Sequence, residues 1–453
     1  MLTEFHIGID DTDSRLAGCT TYTATLLFQE LVSQGFKPLD FPWLVRLNPN
    51  IPWKTRGNGA LSLHFTLEEK QLQEAKKIAV GTVKRTSDLS HRSTDPAVLF
   101  LKGPVPASLS EFSTRALHDV LSVREAQRIA GSVGAETYLL KGSRGLVGAM
   151  ASVGADFGHD HTFEIIAYRT RENIGTTRRV NHDSVRQMDT IFGGLTFNNV
   201  DPETGRVLIC PHGSDPVLLG IRGEDTSSVI GALNQLEIDE PIERAMIFKT
   251  NQGTDAHLSC HRRIEALRPF QSTVIMGRVS GAPRIFRGGH VIFRTSDGTG
   301  SIDCAAYRAT GSVRETAVQL APGDSVTVSG GIRRRPLREL TLNIEKLEVT
   351  ELVDTVRLEN PFCSNCRARC ESMGKGQGFR CKKCRLRFPK TSMTQKIEHR
   401  AITPGIHLPP PRSHRHLTKP ASRYGIHRPA FFETSDPNIV PILDSLVSIS
   451  IAS

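Results

Sequence analysis

The sequence predicts a multidomain α+β protein that carries a small β-barrel and a zinc ribbon toward its C terminus. Three observations support this fold class. Predicted helices and strands alternate up to about residue 265, five short β-rich runs follow, and two Cys-x-x-Cys pairs come next. The length of 453 residues suits three or four domains of ordinary size.

The first 265 residues alternate between helix and strand signals. An apolar run at residues 5–9 is typical of a buried strand, and residues 20–34 have the apolar spacing of a helix. The same reasoning predicts strands at 43–47, 60–67, 162–168 and 205–210, and helices at 68–81, 111–133, 182–190 and 226–236. An alternation of this kind indicates α+β domains.

Residues 270–350 change to short strands separated by turn signals. The dipeptides Gly288-Gly289 and Asp297-Gly298 are both typical of hairpin turns. Five strands favour a small Greek-key barrel such as the OB-fold, because a β-sandwich usually has more strands. The predicted strands are Ser272–Val279, Gly289–Arg294, Gly300–Tyr307, Asp324–Gly330 and Glu339–Val349.

Four of the nine cysteines form two Cys-x-x-Cys pairs that predict a zinc ribbon. Fourteen residues separate Cys363 and Cys366 from Cys381 and Cys384, and three glycines in this spacer suit a hairpin. Four thiolates can hold one Zn²⁺ tetrahedrally, and such a closed site is structural and not catalytic. We expect Cys370, inside the hairpin, to pack without binding the metal.

The positive charge is concentrated at the C-terminal end. Residues 361–453 contain 16 Lys and Arg against 5 Asp and Glu, whereas the first 360 residues contain 41 against 42. A basic terminal segment on a nearly neutral body indicates a polyanion partner, and we expect nucleic acid. The proline run at 409–411 predicts little regular structure in the tail without a partner. The apolar segment 439–451 is a candidate docking helix.

Composition excludes two classes of protein. Hydrophobic residues make up 38% and charged residues 23% of the chain, which is typical of a globular protein and not of a disordered one. No run of about 18 apolar residues could cross a membrane, and the N terminus lacks the basic and apolar regions of a signal peptide. We therefore expect a cytoplasmic protein.

A carboxylate cluster follows the first predicted strand. Asp10, Asp11 and Asp13 lie within four residues, and their mutual repulsion favours a bound cation. Mg²⁺ is commonly held by one or two carboxylates together with phosphate oxygens and water. The alternative is a turn or a helix cap without metal, because Asp and Thr often have that role after a strand.

Three other segments are candidate phosphate-binding loops. Gly18–Thr21 lies at a predicted helix start, where backbone N–H groups favour an anion, although capping by a threonine is the simpler explanation. Lys54–Gly59 combines two cations with two glycines, which suits either a phosphate cradle or an ordinary turn. Lys141–Gly148 lacks the spacing of a P-loop, so its glycines could serve only close helix packing. Together these segments predict a nucleoside-triphosphate site.

Eight short motifs occur in one order over almost the whole chain. They are Gly8–Ser14, Cys19–Tyr22, Arg46–Pro49, Ile51–Gly59, Phe197–Gly205, Asn251–Asp255, Gly374–Phe379 and His414–Pro420. Together they resemble the archaeal tRNA(Ile) 2-agmatinylcytidine synthetase (agmatidine synthase) family. Colinear matches of this kind are far more specific than any single motif.

The resemblance implies an ATP-dependent ligase that conjugates agmatine to C2 of the wobble cytidine of a CAU-anticodon tRNA(Ile), so that the tRNA decodes AUA. Phosphorylation of the 2-carbonyl oxygen would provide the leaving group. The implied domains are a kinase-like catalytic domain (1–110), a ferredoxin-like domain (111–265), an OB-fold (266–355), a zinc ribbon (356–395) and a basic tRNA-contacting tail (396–453). The alternatives are a non-catalytic tRNA-binding protein and a Mg²⁺-dependent phosphohydrolase.

The resemblance also implies roles for individual residues. Asp10, Asp11 and Asp13 would hold Mg²⁺, and Thr20 would be the catalytic threonine that becomes phosphorylated. The implied ATP contacts are Thr21, Lys54, Arg56, Gly57, Asn58, Gly59, Lys141 and Arg144. Because agmatine is a dication, its candidate ligands are the acidic and aromatic residues Asp156, Glu164, Tyr168 and Asp201. Candidate tRNA contacts are Arg380, Lys382, Lys383, Arg412, His414, Arg415, His416 and Lys419.

Overall fold

The computed structural model describes residues 2–334 and 339–428, and one ten-stranded sheet organises the N-terminal half. The strands are β1 (Leu2–Asp10), β2 (Lys37–Pro38), β3 (Trp43–Arg46), β4 (Gly59–Glu68), β5 (Ala97–Lys102), β6 (Glu136–Leu139), β7 (Thr162–Arg169), β8 (Thr196–Phe197), β9 (Val217–Gly223) and β10 (Ile242–Thr250). Their order is β6-β5-β1-β4-β3-β10-β7-β9-β8, with β2 beside β4. Neighbouring strands are antiparallel except β3 and β10, which are parallel.

Helices cover both faces of this sheet. The first two pack on one face, and the next five contribute to the two apolar clusters on the other face. The helices are α1 (Thr20–Ser33), α2 (Leu72–Thr86), α3 (Ala107–Ala116), α4 (Val123–Ser132), α5 (Gly145–Val153), α6 (His182–Phe192) and α7 (Thr226–Asn234). In the described ranges, every helix is too short or too polar to cross a bilayer.

Most predicted elements of this half are confirmed, with two exceptions. The predicted helix 111–133 is two helices, α3 and α4, because the chain turns between them and the Ser122 side chain caps α4 by accepting a hydrogen bond from the Glu125 N–H. The predicted strand 205–210 is wrong, since the segment forms only an isolated bridge at Val207. The predicted domain limit at residue 110 falls inside α3, and β6 beyond it pairs with β5.

The barrel predicted for residues 270–350 is confirmed as an OB-type fold. Its elements are β11 (Ser272–Ile285), β12 (Val291–Ser296), β13 (Ser301–Ala306), α8 (Ser312–Gln319), β14 (Ser325–Arg334), β15 (Leu340–Glu351) and β21 (Gly405–His407). Strand β13 pairs with both β12 and β15 and so closes the barrel, and β21 extends the sheet beside β15. Helix α8, which has no counterpart among the predicted elements, buries Val313 and Ala317 in the barrel core.

The zinc ribbon is an insertion between β15 and β21. Its strands are β16 (Thr355–Glu359), β17 (Glu371–Ser372), β18 (Phe379–Arg380), β19 (Arg387–Phe388) and β20 (Thr394–Glu398). Strands β16 and β20 form a two-stranded stem that connects the ribbon to the barrel, and β17, β18 and β19 form a small sheet that carries the cysteines.

Residues 411–428, called the strap below, return from β21 to the N-terminal sheet. The strap has little regular structure, as predicted, but the body of the protein and not a partner orders it. Arg423 is 1% exposed and pairs with Asp160 and Glu224, and Lys419 also pairs with Asp160. The candidate docking helix at 439–451 lies outside the described residues.

Candidate active site

Strand β1 delivers Asp10 to a tight junction with helix α5. A Cβ atom on Gly148 of this helix would lie 1.9 Å from Oδ2 of Asp10. A Cβ on Gly8, in the same strand, would lie 2.1 Å from the carbonyl oxygen of Ala149. The glycines of the 141–148 segment and of β1 therefore allow close packing of helix on strand, which was one of the two predicted roles for that segment.

The loop after β1 brings two further carboxylates and Thr20 together. Asp11 accepts hydrogen bonds from Nε and Nη2 of Arg144 at 3.0 and 2.6 Å. The Thr20 hydroxyl, at the start of α1, donates to Asp13 at 3.4 Å, and Arg56 Nε lies 3.6 Å from the other Asp13 oxygen. Asp11 and Asp13 thus face two cations from distant parts of the chain, and Asp13 also faces the Thr20 hydroxyl.

These carboxylates are not fully neutralised. Burial, followed by repulsion from Asp11, raises the pKa of Asp10 well above its ordinary value. Burial also raises the pKa of Asp11, despite its bonds from Arg144, and raises the pKa of Asp13 to about 6. A buried group with a raised pKa binds a proton or a cation more readily than water-exposed aspartate does. The donor chemistry therefore fits a hard cation such as Mg²⁺.

The arrangement of the three carboxylates limits this fit. Among the described residues, only Cys363, Cys366, Cys381 and Cys384 bring three or more candidate metal-binding atoms within 4.8 Å of one another. The aspartates alone do not enclose an ion. They suit a cation that is shared with phosphate oxygens, which is how Mg²⁺ is usually held.

Three adjoining cavities surround this cluster. The first, of about 530 Å³, is lined by the aspartates, Lys54 and Arg144. Eight apolar residues also line it, and a nucleotide base needs apolar contacts of this kind. The apolar lining residues are Leu47, Ile51, Trp53, Ala116, Val120, Leu121, Val123 and Val147.

The second cavity, of about 300 Å³, lies on the other side of Asp13 and Thr20. Its polar lining includes Glu164 and Asp215, together with three arginines, Arg46, Arg56 and Arg222. Glu164 is 3% exposed. It accepts hydrogen bonds from Nε of Arg222 at 3.1 Å and from Nε2 of the buried Gln252. Asp215 pairs with Arg178 at 3.3 Å and Arg56 at 3.7 Å, so a small cationic ligand in this cavity would share its carboxylates with arginines.

The third cavity, of about 450 Å³, is formed between the loop that carries Lys54 and the strap. His416 of the strap lines both the second and the third cavity, and its Nδ1 accepts a hydrogen bond from Nη2 of Arg222 at 3.2 Å. Burial, followed by the charges of Arg46 and Arg222, lowers the pKa of His416 well below its ordinary value. His416 is therefore a neutral side chain at the junction of the two cavities.

Most predicted site residues are brought together here. Asp13 lines the first and second cavities, and Arg56 and Gly57 line the second and third. Lys141 is not part of this lining, since it is exposed and its Nζ donates to the carbonyl oxygen of His91 at 2.9 Å. The predicted catalytic and ATP-binding residues that line at least one cavity are Asp10, Asp11, Asp13, Thr20, Thr21, Lys54, Arg56, Gly57, Asn58, Gly59 and Arg144.

Of the four candidate agmatine ligands, only Glu164 lines a cavity. Tyr168 is fully buried in the core beneath α1, where its hydroxyl accepts a hydrogen bond from Thr25. Asp156 is exposed in the loop after α5, and Asp201 is buried in a pair with Arg412. These positions argue against direct contact of the last three with a ligand in the described cavities. Residue type alone selected them, and it carries no information about location.

Sequence reasoning missed Arg46, Arg222 and Asp215. Arg222 and Asp215 follow no local motif, and they reach the site only because β9 lies in the same sheet as β3, with β7 and β10 between them. Arg46 belongs to the motif Arg46–Pro49, which was the available signal, although its side-chain direction depends on the strand.

The candidate tRNA contacts fall into three groups. Arg380, Lys382 and Lys383 are exposed on the ribbon, where Lys382 pairs with Glu371. His414, Arg415 and His416 line the third cavity. Arg412 also lines it but pairs with Asp201 and Glu203, and Lys419 is 6% exposed and paired.

The four ribbon cysteines form a compact group. Their Sγ atoms all lie within 4.8 Å of one another, and the Sγ atoms of Cys363 and Cys384 are 3.4 Å apart. This spacing suits tetrahedral Zn²⁺, whose bonds to sulfur are about 2.3 Å long. Cys370 is buried beside the group without belonging to it.

Comparison with known proteins covers nearly the whole described chain. Family models for the TiaS TCKD domain and the TiaS FLD domain match residues 6–142 and 143–257. Models for an OB-fold nucleic acid binding domain and the TiaS C-terminal zinc ribbon domain match residues 273–350 and 360–402.

Complete relatives show the same relationship. The chain is 42% identical over 415 residues to the tRNA 2-agmatinylcytidine synthetase TiaS of Pyrococcus horikoshii, a match that covers 92% of this chain and 96% of that protein. It is 38% identical over 420 residues to the synthetase of Archaeoglobus fulgidus, with 93% and 97% covered.

Solved structures of TiaS also match this chain over nearly its whole length. The crystal structure of TiaS in complex with an isoleucine tRNA and ATP has a TM-score of 0.83 and 37% identity, over 93% of this chain and 97% of that chain. That of TiaS with an isoleucine tRNA, AMPCPP and agmatine has a TM-score of 0.81 and 33% identity, over 95% and 100%. These matches confirm the resemblance seen in the motifs. The chain belongs to the tRNA(Ile) 2-agmatinylcytidine synthetase (TiaS) family.

Proposed function

We propose that this chain is an ATP-dependent ligase that joins agmatine to C2 of the wobble cytidine of a CAU-anticodon tRNA(Ile). One observation carries the proposal: Asp13, Thr55 and Gly59 line both the 530 Å³ cavity and the 300 Å³ cavity. A phosphoryl donor in the first cavity and an amine in the second would therefore meet at one shared wall. We take residues 6–142 and 143–257 as the two domains that form it.

The first cavity is assigned to ATP. Its apolar residues would contact the adenine, and the phosphates would face Lys54 and Arg144. Phosphoryl transfer depends on positioning and charge neutralisation more than on covalent help from the protein. Bound Mg²⁺ would neutralise charge on the phosphates. Asp10 and Asp13 would hold it, since Asp11 is paired with Arg144.

Thr20 is the proposed phosphoryl acceptor. Its Oγ1 lies at the N terminus of α1 and donates a hydrogen bond to Asp13, so the hydroxyl proton has an acceptor when the oxygen attacks a phosphorus atom. The phosphoryl group would then pass to the 2-oxygen of cytidine. Attack of the agmatine amine on C2 forms the C–N bond and breaks the C–O bond, and phosphate leaves.

The second cavity is assigned to agmatine and the target base. Glu164 and Asp215 would face its cationic groups, and the exposed ribbon cations would bind tRNA phosphates. The four-cysteine group would hold structural Zn²⁺. A tRNA-modifying enzyme of this kind would act in the cytoplasm.

The test is nucleoside mass spectrometry after incubation with ATP, Mg²⁺, agmatine and a CAU-anticodon tRNA(Ile) transcript. We expect a cytidine–agmatine adduct with the unaltered protein and none with Thr20→Ala or Asp10→Ala. Tight tRNA binding without an adduct would support a binding protein instead. Phosphate release that needs neither tRNA nor agmatine would support a phosphohydrolase.

A further inference from the structure

We propose that the β-barrel positions the nucleotide site, because barrel residues hold the loop that carries Lys54 and Arg56. Asn50 is the positioning residue on the loop side, and strand β14 holds it. The loop of residues 47–58 joins β3 to β4, and nothing in its sequence indicates an attachment to a barrel more than 200 residues away. This inference rests on the proposed function, which assigns the loop to ATP.

The loop is attached at two buried asparagines. Asn48 and Asn50 are both fully buried, which is unusual for a polar residue in a connecting loop. Asn50 Nδ2 donates to the Ser272 hydroxyl at 2.9 Å, and this hydroxyl donates to Asn48 Oδ1 at 3.1 Å. Asn48 Nδ2 donates to the carbonyl oxygen of Phe270 at 2.8 Å. The loop and the first strand of the barrel therefore share one hydrogen-bond network.

Strand β14 closes on Asn50 from another side. Arg333 donates from Nη1 to the Asn50 carbonyl oxygen at 2.9 Å and from Nη2 to Oδ1 at 3.3 Å. A Cβ atom on Gly331 would lie 2.2 Å from the same Oδ1. Both the backbone and the side chain of Asn50 are thus fixed, and the contact leaves no room for an additional methyl group.

The attachment continues to the phosphate end of the loop. Asn58 Nδ2 donates to the carbonyl oxygen of Asn48 at 2.8 Å, and the Asn58 carbonyl accepts from the Leu47 N–H at 2.9 Å. Arg56 and Asn58 both have positive φ, at 45° and 53°. Residues other than glycine adopt this conformation only where their surroundings hold it. Loss of the barrel contact should therefore release the loop and move Lys54 and Arg56.

A merely structural contact and a positioning contact make different predictions. A structural contact would affect the stability of the whole chain and every ligand alike. A positioning contact would weaken nucleotide binding selectively, since small displacements at a site can cost about 100-fold in rate. RNA binding through the ribbon would be retained.

The test compares Gly331→Ala with Gly281→Ala in the full chain. Gly281 lies in β11 of the same barrel, but its nearest neighbour to an added Cβ is 3.8 Å away. We expect Gly331→Ala to weaken binding of a non-hydrolysable ATP analogue, measured without tRNA, by about tenfold or more. The Kd for tRNA should change by less than about twofold, and Gly281→Ala should change neither Kd.

A second pair of variants keeps the test decisive if Gly331→Ala destabilises the fold. Asn50→Ser removes the atom that the new methyl group would meet, so adding Gly331→Ala to it should cost little more nucleotide affinity. Unchanged nucleotide binding in Gly331→Ala, or equal losses for nucleotide and tRNA, would overturn the inference. Failure of the unaltered chain to bind the analogue would instead overturn the proposed function.

Discussion

Two carboxylate clusters in this protein differ in how far the chain's own cations neutralise them. Under the strap, Asp160 and Glu224 pair with Arg423 at 2.9 and 2.5 Å. Burial alone would raise the pKa of Asp160, but hydrogen bonds from Arg423 and from the strap backbone lower it below its ordinary value. In the nucleotide cavity, Asp10 and Asp13 have raised pKa values although Arg56 and Arg144 are nearby.

The difference separates a structural role from a functional one. Ionised carboxylates that the chain neutralises with its own buried cations fix one segment onto another. Carboxylates whose ionised form is disfavoured by burial and by neighbouring carboxylates favour a proton or an external cation, and perturbed groups of this kind concentrate in functional sites. Both clusters consist of Asp and Glu residues, so residue type does not distinguish them. Only the side chains that pair with them do.

The strongest test of this comparison is removal of the strap cation. Arg423→Ala would leave Asp160 and Glu224 buried without their main partner, and losing one member of a buried pair typically costs about 3–5 kcal/mol. We expect a large fall in the thermal unfolding midpoint together with loss of adduct formation. Arg380→Ala, at an exposed ribbon position, is the control and should leave the midpoint nearly unchanged. Equal midpoints for the two variants would show that the strap pair is not structural.

In the nucleotide cavity, removal of a carboxylate is expected to lower activity without lowering stability. Asp10→Asn should lower the rate of adduct formation by about 10²–10³-fold, which is the usual cost of removing one electrostatic contact to a transition state. Its unfolding midpoint without ligands should stay the same or rise, because an unfavourable buried charge is removed. Asp160→Asn should lower the midpoint. A fall for Asp10→Asn as large as that for Asp160→Asn would contradict the assignment of roles.

The pH dependence of stability should also differ between the clusters. Because the folded pKa of Asp13 is near 6, above the unfolded value, the contribution of Asp13 to the stability of the ligand-free protein should fall as pH rises from about 4 to 6. Stabilisation by Mg²⁺ with ATP should grow over the same interval, since the bound cation favours the ionised carboxylate. The pKa of Asp160 is lowered, so the stabilisation by the Asp160–Arg423 pair should not change between about pH 4 and 6. It should be lost only as pH falls below that interval. Thermal melts of the unaltered protein and of Asp13→Asn, with and without Mg²⁺ and ATP, measure the contribution of Asp13 as the difference between the two pH profiles.

The smallest expected effect concerns the basic residues themselves. Lys383 is exposed on the ribbon, whereas Lys419 is buried against Asp160. If Lys383 contacts a phosphate, Lys383→Ala should reduce the slope of log K against log salt for tRNA binding by about 0.7–0.9. Lys419→Ala should lower the unfolding midpoint and leave that slope unchanged. A reduced slope for Lys419→Ala would show that strap cations bind RNA directly.

Local sequence was sufficient for the elements whose signals are local. The buried strand before Asp10, the helix after Cys19, the five barrel strands and the paired cysteines each depend on residues close together in the chain. The helix predicted at 111–133 was wrong between α3 and α4, where Ser122 caps a new helix and Asp119 accepts hydrogen bonds from Arg262.

The cavities could not be predicted in the same way. The 300 Å³ cavity joins Thr20, Glu164, Arg222 and His416, which are separated by up to almost 400 residues. Selecting agmatine ligands by residue type therefore gave one residue in the cavity and three elsewhere. Basic composition likewise could not tell the paired Lys419 from the exposed Lys383.

The sequence by itself determined the identity of the parts: a carboxylate cluster at a strand end, a cationic glycine loop, a barrel, a metal ribbon and the family to which they belong. The tertiary structure alone decided which charges face each other. Pairing depends on distance and burial, because the energy of two charges changes severalfold between water and a protein interior. An aspartate therefore holds the strap in place at position 160 and is a candidate metal ligand beside Thr20 at position 13.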